Sequence, residues 1–413
     1  MGFIIFLIYT SIYLGLIATT FYIIGYNVDK KRKRPLFSDS ELPKVSIVIP
    51  AYNEEKSIGR TIESILSSDY PKNKFEVIVV DDGSKDNTLK IAQKYQSKIV
   101  SVYTKKNGGK GTALNLALKK CKGEIIFSMD ADTFVAAHSV REMVRYFKNP
   151  EVMSVTPSML IHEPHGLLQR IQQAEYLFGL FIRKAFSSVN AIHVTPGAFS
   201  AYRKTFFDKY GGYDEGNITE DLEMSLRIQY KGYHIEYSPE SPAYTIAPNK
   251  FKALMIQRRR WYTGLMRNTW KYKGIFNPKY GDLGVFVLPI AWISIFFSVF
   301  LINYLVFKAI FDIQKELSYL ISINFDFMSM FGMSSYILEQ IIIAVFTNPI
   351  IVFFLLFATV MGVYMKFATT KVGKVKKLPG TIVVYFLFFA ILFGFWWTLS
   401  IIYVALNRKV TWR

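Results

Sequence analysis

The chain has a single cysteine in 413 residues, Cys121. No internal disulfide can form, and the thiol reads as a small buried residue. Histidine is also scarce, at five residues. His162 and His165 stand three apart with Pro164 between them, and no His-Glu-X-X-His zinc motif exists. All five histidines therefore read as structural. A Walker-type phosphate loop is missing too. Asn107-Gly108-Gly109-Lys110-Gly111 could place backbone N–H groups near phosphate, but no Ser or Thr directly follows the lysine. Acidic residues are few, 31 against 50 lysines and arginines, which leaves a net charge of +19. A balance this basic favours nucleic acid, anionic lipid or phosphorylated ligands.

The first 28 residues lack charge of either sign, and Asp29 is the first ionised side chain. The apolar part, Phe3 to Gly25, meets the ~20 residues a bilayer crossing needs. It has neither the basic start nor the short apolar region of a cleaved signal peptide. Three more uncharged runs follow late in the chain: Leu283–Phe307, Gln340–Met365 and Leu378–Asn407. Pro289 and Pro349 interrupt two of them, as membrane helices tolerate. Four spans are expected, and they select lipid and phosphate over nucleic acid as the anionic partners. Lys30, Lys31, Arg32, Lys33 and Arg34 follow the first span. Lys366, Lys371, Lys374, Lys376 and Lys377 lie between the last two. The positive-inside rule places both segments in the cytoplasm. The expected organisation is a membrane segment over 1–28, a cytosolic domain over 29–280, and three spans with a short tail over 281–413. Four crossings would leave Arg408, Lys409 and Arg413 outside, which sits badly with their charge.

The middle region alternates between two periods. Val45–Ile49, Phe75–Val80, Ile99–Tyr103 and Glu124–Met129 are short runs rich in β-branched residues. Between the first two, Ile58, Ile62, Ile65 and Leu66 fall on one helical face, and Lys110–Lys119 reads as a helix. Asp86 is a candidate helix N-cap. Strands alternating with helices predict an α/β fold with a mainly parallel sheet, whose ligands bind beyond the carboxyl ends of the strands. Polar clusters stand at three such ends: Tyr52-Asn53-Glu54, Asp81-Asp82 and Asp130-Ala131-Asp132. Any one alone would be a solvated turn; three together predict a site.

Asp130 and Asp132, one residue apart at a strand exit, can share a hard divalent cation with a substrate diphosphate. Thr219-Glu220-Asp221 precedes a helical pattern, where an acid can cap the helix or act as a general base. Gln257-Arg258-Arg259-Arg260-Trp261 sets three guanidinium groups beside an indole. These suit phosphate and a sugar ring, although a solvated or membrane-flanking basic run explains Arg258 and Arg259 equally well.

Taken together, Asp82, Asp130-X-Asp132, Thr219-Glu220-Asp221 and Gln257-X-X-Arg260-Trp261 resemble glycosyltransferase family 2, in particular its processive membrane branch. That branch includes chitin, hyaluronan, cellulose and poly-N-acetylglucosamine synthases. The resemblance runs from about Lys44 to Trp261 and implies a GT-A-like, Rossmann-like catalytic domain beside an α-helical transmembrane region. It implies that Ala51, Tyr52, Glu54 and Asp82 lie at the nucleotide, with Tyr52 and Asp82 holding the uracil of a UDP-sugar. It puts Lys110 near the nucleotide, Asp130 at the nucleotide sugar, and Asp132 at a Mg²⁺ or Mn²⁺ ion. Asp221 would be the base. Gly197, in a Pro196–Arg203 segment like the family's acceptor-side loop, would join Glu220, Gln257, Arg260 and Trp261 at the diphosphate and acceptor sugar.

One span before and three after the catalytic domain are most similar to the poly-N-acetylglucosamine synthases, which makes UDP-N-acetylglucosamine the expected donor and a growing glycan the acceptor. The other partners implied are the lipid bilayer and a small membrane accessory subunit, with no role for nucleic acid. Two other functions fit less of the chain. A transferase adding one sugar to a lipid or short glycan does not need three spans packed behind Gln257–Trp261. A membrane transporter or receptor with a nucleotide-binding domain leaves Asp130, Asp132 and Asp221 without a task.

Overall fold

The computed structural model describes residues 2–29, 37–322 and 379–406, with a few isolated positions beyond them. Helix α1 (Gly2–Asp29) precedes the sheet region. Strands β1 (Val45–Ala51), β2 (Phe75–Asp81), β3 (Val100–Thr104) and β4 (Ile125–Met129) follow the expected runs to within a residue or two. Between them lie α2 (Ile58–Leu66), α3 (Thr88–Gln93) and α4 (Lys110–Leu118). The four strands pair in parallel in the order β3-β2-β1-β4. Every residue of β1 and β4 is buried, which is why they read as unbroken apolar runs: helices cover both faces of the sheet. Ile58, Ile62 and Ile65 form the buried face of α2. Cys121 is buried, as expected.

The sheet then continues with reversed polarity. Strands β5 (Thr133–Val135), β6 (Val152–Ile161), β7 (Phe199–Arg203) and β8 (His234–Thr245) extend it to eight, in the order β3-β2-β1-β4-β7-β6-β8-β5. β7 runs antiparallel to both β4 and β6, and β5 antiparallel to β8. The sheet is therefore mixed rather than mainly parallel. Because β7 is antiparallel to both neighbours, β6 and its parallel partner β8 point the same way as β1 to β4. The carboxyl ends of all these strands open on one edge. Phe127 on β4 stacks on Phe199 of β7 at 5.4 Å and joins the two halves in one core.

Register pairing between β1 and β4 ends at Val48 with Ser128. Pro50, which has no N–H to donate, comes just after. This point, where the order turns from β1 outward to β4, is where doubly wound sheets open a ligand crevice.

The remaining helices are α5 (Ser139–Val144), α6 (Gly166–Ser188), α7 (Lys204–Tyr210), α8 (Glu220–Tyr230), α9 (Phe251–Lys271), α10 (Leu288–Ser322) and α11 (Pro379–Ala405). Among the described residues two stretches are long and apolar enough to cross a bilayer, Phe6–Gly25 and Leu283–Ser322; α11 adds a shorter apolar stretch, Leu392–Ala405. The expected run Gln340–Met365 lies outside the described residues. The run starting at Leu283 continues as helix beyond Phe307 to Ser322, and Pro289 sits at the second residue of α10, directly after a π-turn over Leu283–Val287. There its missing donor disturbs little regular helix. Phe296, Phe300, Leu305 and Phe307 stand exposed on α10, a burden in water that lipid would relieve.

Helices α6 and α9 lie between the sheet region and these apolar helices. Gly25 of α1 lets that helix close on Ala185 and Ser188 of α6, where a Cβ would lie 2.9 Å from Ser188 Oγ. Tyr262 of α9 stacks on Trp397 of α11 at 4.6 Å.

Truncating the stacked pair tests the single core. Phe127→Ala should cost about 3–5 kcal/mol and lower the melting temperature of the detergent-solubilised protein by about 10 °C. An unchanged melting temperature would mean the two halves of the sheet do not share a core.

Candidate active site

The loops at the carboxyl ends of β1 and β2 are laced together by short polar residues. Asp82 N–H donates to the Ala51 carbonyl at 2.8 Å, and Asn53 N–H to Ser84 Oγ at 2.9 Å. Asn53 takes a left-handed conformation (φ 56°), which asparagine tolerates. Its side chain accepts from Lys85 N–H. Tyr52 is half-buried at this lip, and Glu54 N–H donates to Thr88 Oγ1 at 2.7 Å. Asp86 sits one residue outside its expected capping place: Asn87 is the N-cap of α3, and Asp86 Oδ1 accepts from Thr88 N–H at 3.0 Å.

Asp82 is buried and crowded with donors. It accepts from Lys105 Nζ at 2.7 Å, Gly108 N–H at 3.1 Å and Gly109 N–H at 2.8 Å. The glycine amides that could have faced a phosphate are therefore spent on this carboxylate. Sequence reasoning missed Lys105, whose only signal was its place beside a glycine-rich turn.

Lys110, the first residue of α4, projects from that turn into the cleft. Its ammonium pairs with Asp130 Oδ1 at 2.6 Å, beyond β4, and with Glu220 Oε1 at 3.1 Å, the first residue of α8. Burial works against its charge, but the Asp130, Glu220 and Asp221 carboxylates outweigh it and hold the lysine pKa above its ordinary value. Glu220 is 2% exposed. Burial pushes its carboxyl up, Lys110 draws it down, and neighbouring Asp221 adds to the rise.

Asp221 lies beside this pair. Its Oδ2 accepts from Gly197 N–H at 2.8 Å and its Oδ1 from Leu222 N–H at 2.8 Å. A Cβ at position 197 would stand 2.6 Å from Asp221 Oδ2 and 2.9 Å from Lys110 Nζ, so any larger residue there must push those side-chain ends aside. Gly264 on α9 plays a similar part: a Cβ there would lie 2.2 Å from Thr219 Oγ1. Helix α9 thereby packs directly on the Thr219–Asp221 turn.

Arg260 on α9 is half-buried and faces the same carboxylates. Burial lowers its pKa, while Asp221, Glu220 and Asp130 pull the other way. Gln257 Oε1 is buried with no hydrogen-bond partner among the described residues, an acceptor left for a hydroxyl or amide from outside. The flanking arginines are not solvated. Arg258 is 2% exposed and grips Glu175 of α6 through two bonds of 2.7 Å, with its guanidinium 4.4 Å from the ring centroid of Trp261. Arg259 lies over Tyr403 of α11 at 4.5 Å. A solvated basic run, one of the alternatives the sequence left open for both, does not describe Arg258. The sequence offers no cue to their partners, one 83 and the other 144 residues away. His162 packs against Phe134 at 5.0 Å, a structural role as expected.

Asp132 completes the cluster. Burial first, then the like charges of Asp130 and Glu54, push its pKa up to about 7, with Lys110 opposing. A buried carboxylate crowded by two others is short of positive charge, which a divalent cation would supply. Among the described residues no three His, Cys, Asp or Glu side chains form a complete metal cage. Two carboxylates with room for ligand oxygens suit Mg²⁺ or Mn²⁺, which keep waters and phosphates in their shells. The residues therefore fit such an ion at Asp132 and Asp130.

Comparison with known proteins bears on this geometry. Residues 46–211 match Glycosyl transferase family 2. The chain is 30% identical over 317 residues to the poly-beta-1,6-N-acetyl-D-glucosamine synthase of Staphylococcus epidermidis, covering 74% of each. It is 30% identical over 246 residues to the protein of that name from Staphylococcus aureus strain COL, and there the match spans 58% of each chain. Among solved structures, a mannosyltransferase from Pyrobaculum calidifontis in complex with GDP-Man and Mn²⁺ superposes with a TM-score of 0.55 at 20% identity. That match covers 87% of this chain and 98% of the other, and it establishes a shared GT-A-like fold.

The Asp132 environment makes metal binding compete with a proton. Its raised pKa contributes stability to the metal-free protein that is complete below the ordinary carboxylate range and is lost as pH climbs through about 7. The melting-temperature gain from Mn²⁺ should therefore grow as pH rises through about 7 and largely vanish in Asp132→Asn. A gain that is flat with pH, or intact in that variant, would remove Asp132 from the metal site.

Proposed function

The chain belongs to glycosyltransferase family 2, and from that premise we propose that it transfers N-acetylglucosamine from UDP-N-acetylglucosamine to a growing β-linked glycan, with inversion at the anomeric carbon. The observation that carries this reading is the convergence of Asp130, Glu220, Asp221, Lys110 and Arg260 in one cleft at the carboxyl ends of the strands. The relatives named as poly-beta-1,6-N-acetyl-D-glucosamine synthases support the choice of sugar.

In this reading Tyr52 and Asp82 hold the uracil, beside Ala51 and Glu54. Exchanging the Lys105 and glycine donors on Asp82 for those of the base would accompany nucleotide entry. Lys110 and Asp130 position the nucleotide sugar. Asp132, with Asp130, would hold a divalent cation, which would supply Lewis-acid neutralisation of the leaving diphosphate. Asp221 takes the proton from the acceptor hydroxyl as that oxygen bonds to C1 and the bond from C1 to the β-phosphate oxygen breaks, releasing UDP. The Gly197 and Leu222 amides fix both oxygens of that base, so little reorientation accompanies the attack. Gln257, Arg260 and Trp261 bind the diphosphate and the acceptor sugar, with Glu220 holding Lys110 in place.

Addition in this reading is processive. Helix α9, which carries Gln257–Trp261, rests directly on α11, so a lengthening chain leaves the cleft towards the apolar helices and is exported there. The protein is a multi-pass membrane enzyme whose domain over 29–280 faces the cytoplasm, where nucleotide sugars are made.

Asp221→Asn should still bind UDP-N-acetylglucosamine yet lose roughly 10²–10⁴-fold in turnover, the usual scale for a general base. Near-normal UDP release would refute the assignment. Gly197→Ala should lose about 10²-fold through displacement of Asp221 while its melting temperature stays close to wild type. Full activity in that variant would show that the placement of the base is not critical.

A further inference from the structure

Arg258 lies inside the Gln257–Trp261 segment but pairs with α6 rather than with the carboxylates around Lys110. Its fork closes on both oxygens of Glu175 in α6. Its Cζ lies over the indole of Trp261, three residues on, 4.4 Å from the ring centroid; Trp396 of α11 follows at 5.9 Å. Arg258 and Trp396 are almost fully buried, with Ile171, Leu254, Tyr262, Tyr385 and Leu392 packed around Trp396. One planar cation therefore joins three helices: α6 under the sheet, α9 on the Thr219–Asp221 turn, and α11 among the apolar helices.

We propose that Arg258 and Glu175 form a positioning clasp that fixes the orientation of the Trp261 indole and so sets how well the acceptor sugar is held. A guanidinium held bidentately by a carboxylate cannot rotate, so it defines a flat, charged shelf rather than a mobile point charge. An indole resting on such a shelf is held by cation–π attraction and keeps only its other face for a ligand. Glu175 alone could hold any cation; the planar fork is what the indole requires. The two bonds that make the clasp run between Arg258 and Glu175 and use none of the cleft carboxylates. Its effect should therefore fall on the acceptor and leave the donor half of the site intact.

This inference rests on the transferase reading above, and its test separates the two. Two readouts are taken on the full chain in detergent or nanodiscs: UDP release without added acceptor, which reports donor hydrolysis by water, and transfer to a soluble N-acetylglucosamine oligosaccharide. Arg258→Lys keeps the charge pair with Glu175 but loses the planar face, so it should fold as wild type. It should raise the KM for the oligosaccharide about tenfold while donor KM and the hydrolysis rate stay within about twofold. Glu175→Gln, which frees the guanidinium, should show the same split, and Glu175→Asp should recover part of the loss. Hydrolysis and transfer falling together in Arg258→Lys, or neither changing, would overturn the clasp while leaving the transferase reading standing. A wild-type protein that releases no UDP would overturn both.

Discussion

One buried ammonium organises the centre of this protein. Lys110 stands where the first turn of α4 meets the end of β4 and the start of α8, and its charge is shared between Asp130 and Glu220. Carboxylates so close together in a dry cleft repel one another, and without the lysine at least one would be driven to take up a proton. With it, residues 130 and 220, separated by ninety positions of chain, are held against a single cation. Asp221 is carried in by Glu220 beside it and is then locked by backbone amides from residues 197 and 222. The arrangement is left short of positive charge at Asp132 alone, the place where a cation from outside fits.

The apolar helices are tied to this centre through α6 and α9. Helix α9 carries small residues where it presses on the Thr219–Asp221 turn, and large aromatic or cationic ones where it meets α11. Beyond α11 the chain reaches back as well, since Arg267 on α9 donates to the Arg408 carbonyl at 3.2 Å. Arg408 therefore lies against the helix that borders the cleft. A shift of α11 would move Arg259, Arg258 and Trp261 together, so the sides of α9 that face α11 and the cleft are mechanically one piece.

The parallel half of the fold was legible because its signals are local. β1 to β4 are β-branched runs with helical periods between them, and each ends at a polar cluster that the structure brings to one edge. The second half was not. β6 and β8 carry Pro157 and Pro242 and run alongside polar residues, and β7 follows a Pro-Gly turn, so none announces itself as a strand. The insertion of β7 antiparallel to β4 is long-range pairing that carries β6 and β8 with it. The apolar helices were legible from length and charge alone, although the second continues past its uncharged stretch because nothing in Lys308–Ser322 breaks a helix. At the cleft, spacing pointed to the residues that converge but could not reveal partners. Arg258 looked like its neighbours Arg259 and Arg260, and only the fold separates the three into one guanidinium on a glutamate, one on a tyrosine and one facing the cleft.

The central claim is that this cleft joins sugars from UDP-N-acetylglucosamine into a β-linked chain. The most direct measurement supplies membranes containing the full chain with radiolabelled UDP-N-acetylglucosamine and Mn²⁺ and determines the size and anomeric configuration of the product. The account predicts a high-mass polymer with β linkages, formed together with UDP. A single-sugar adduct, an α-linked product, or no UDP release with any UDP-sugar would contradict it.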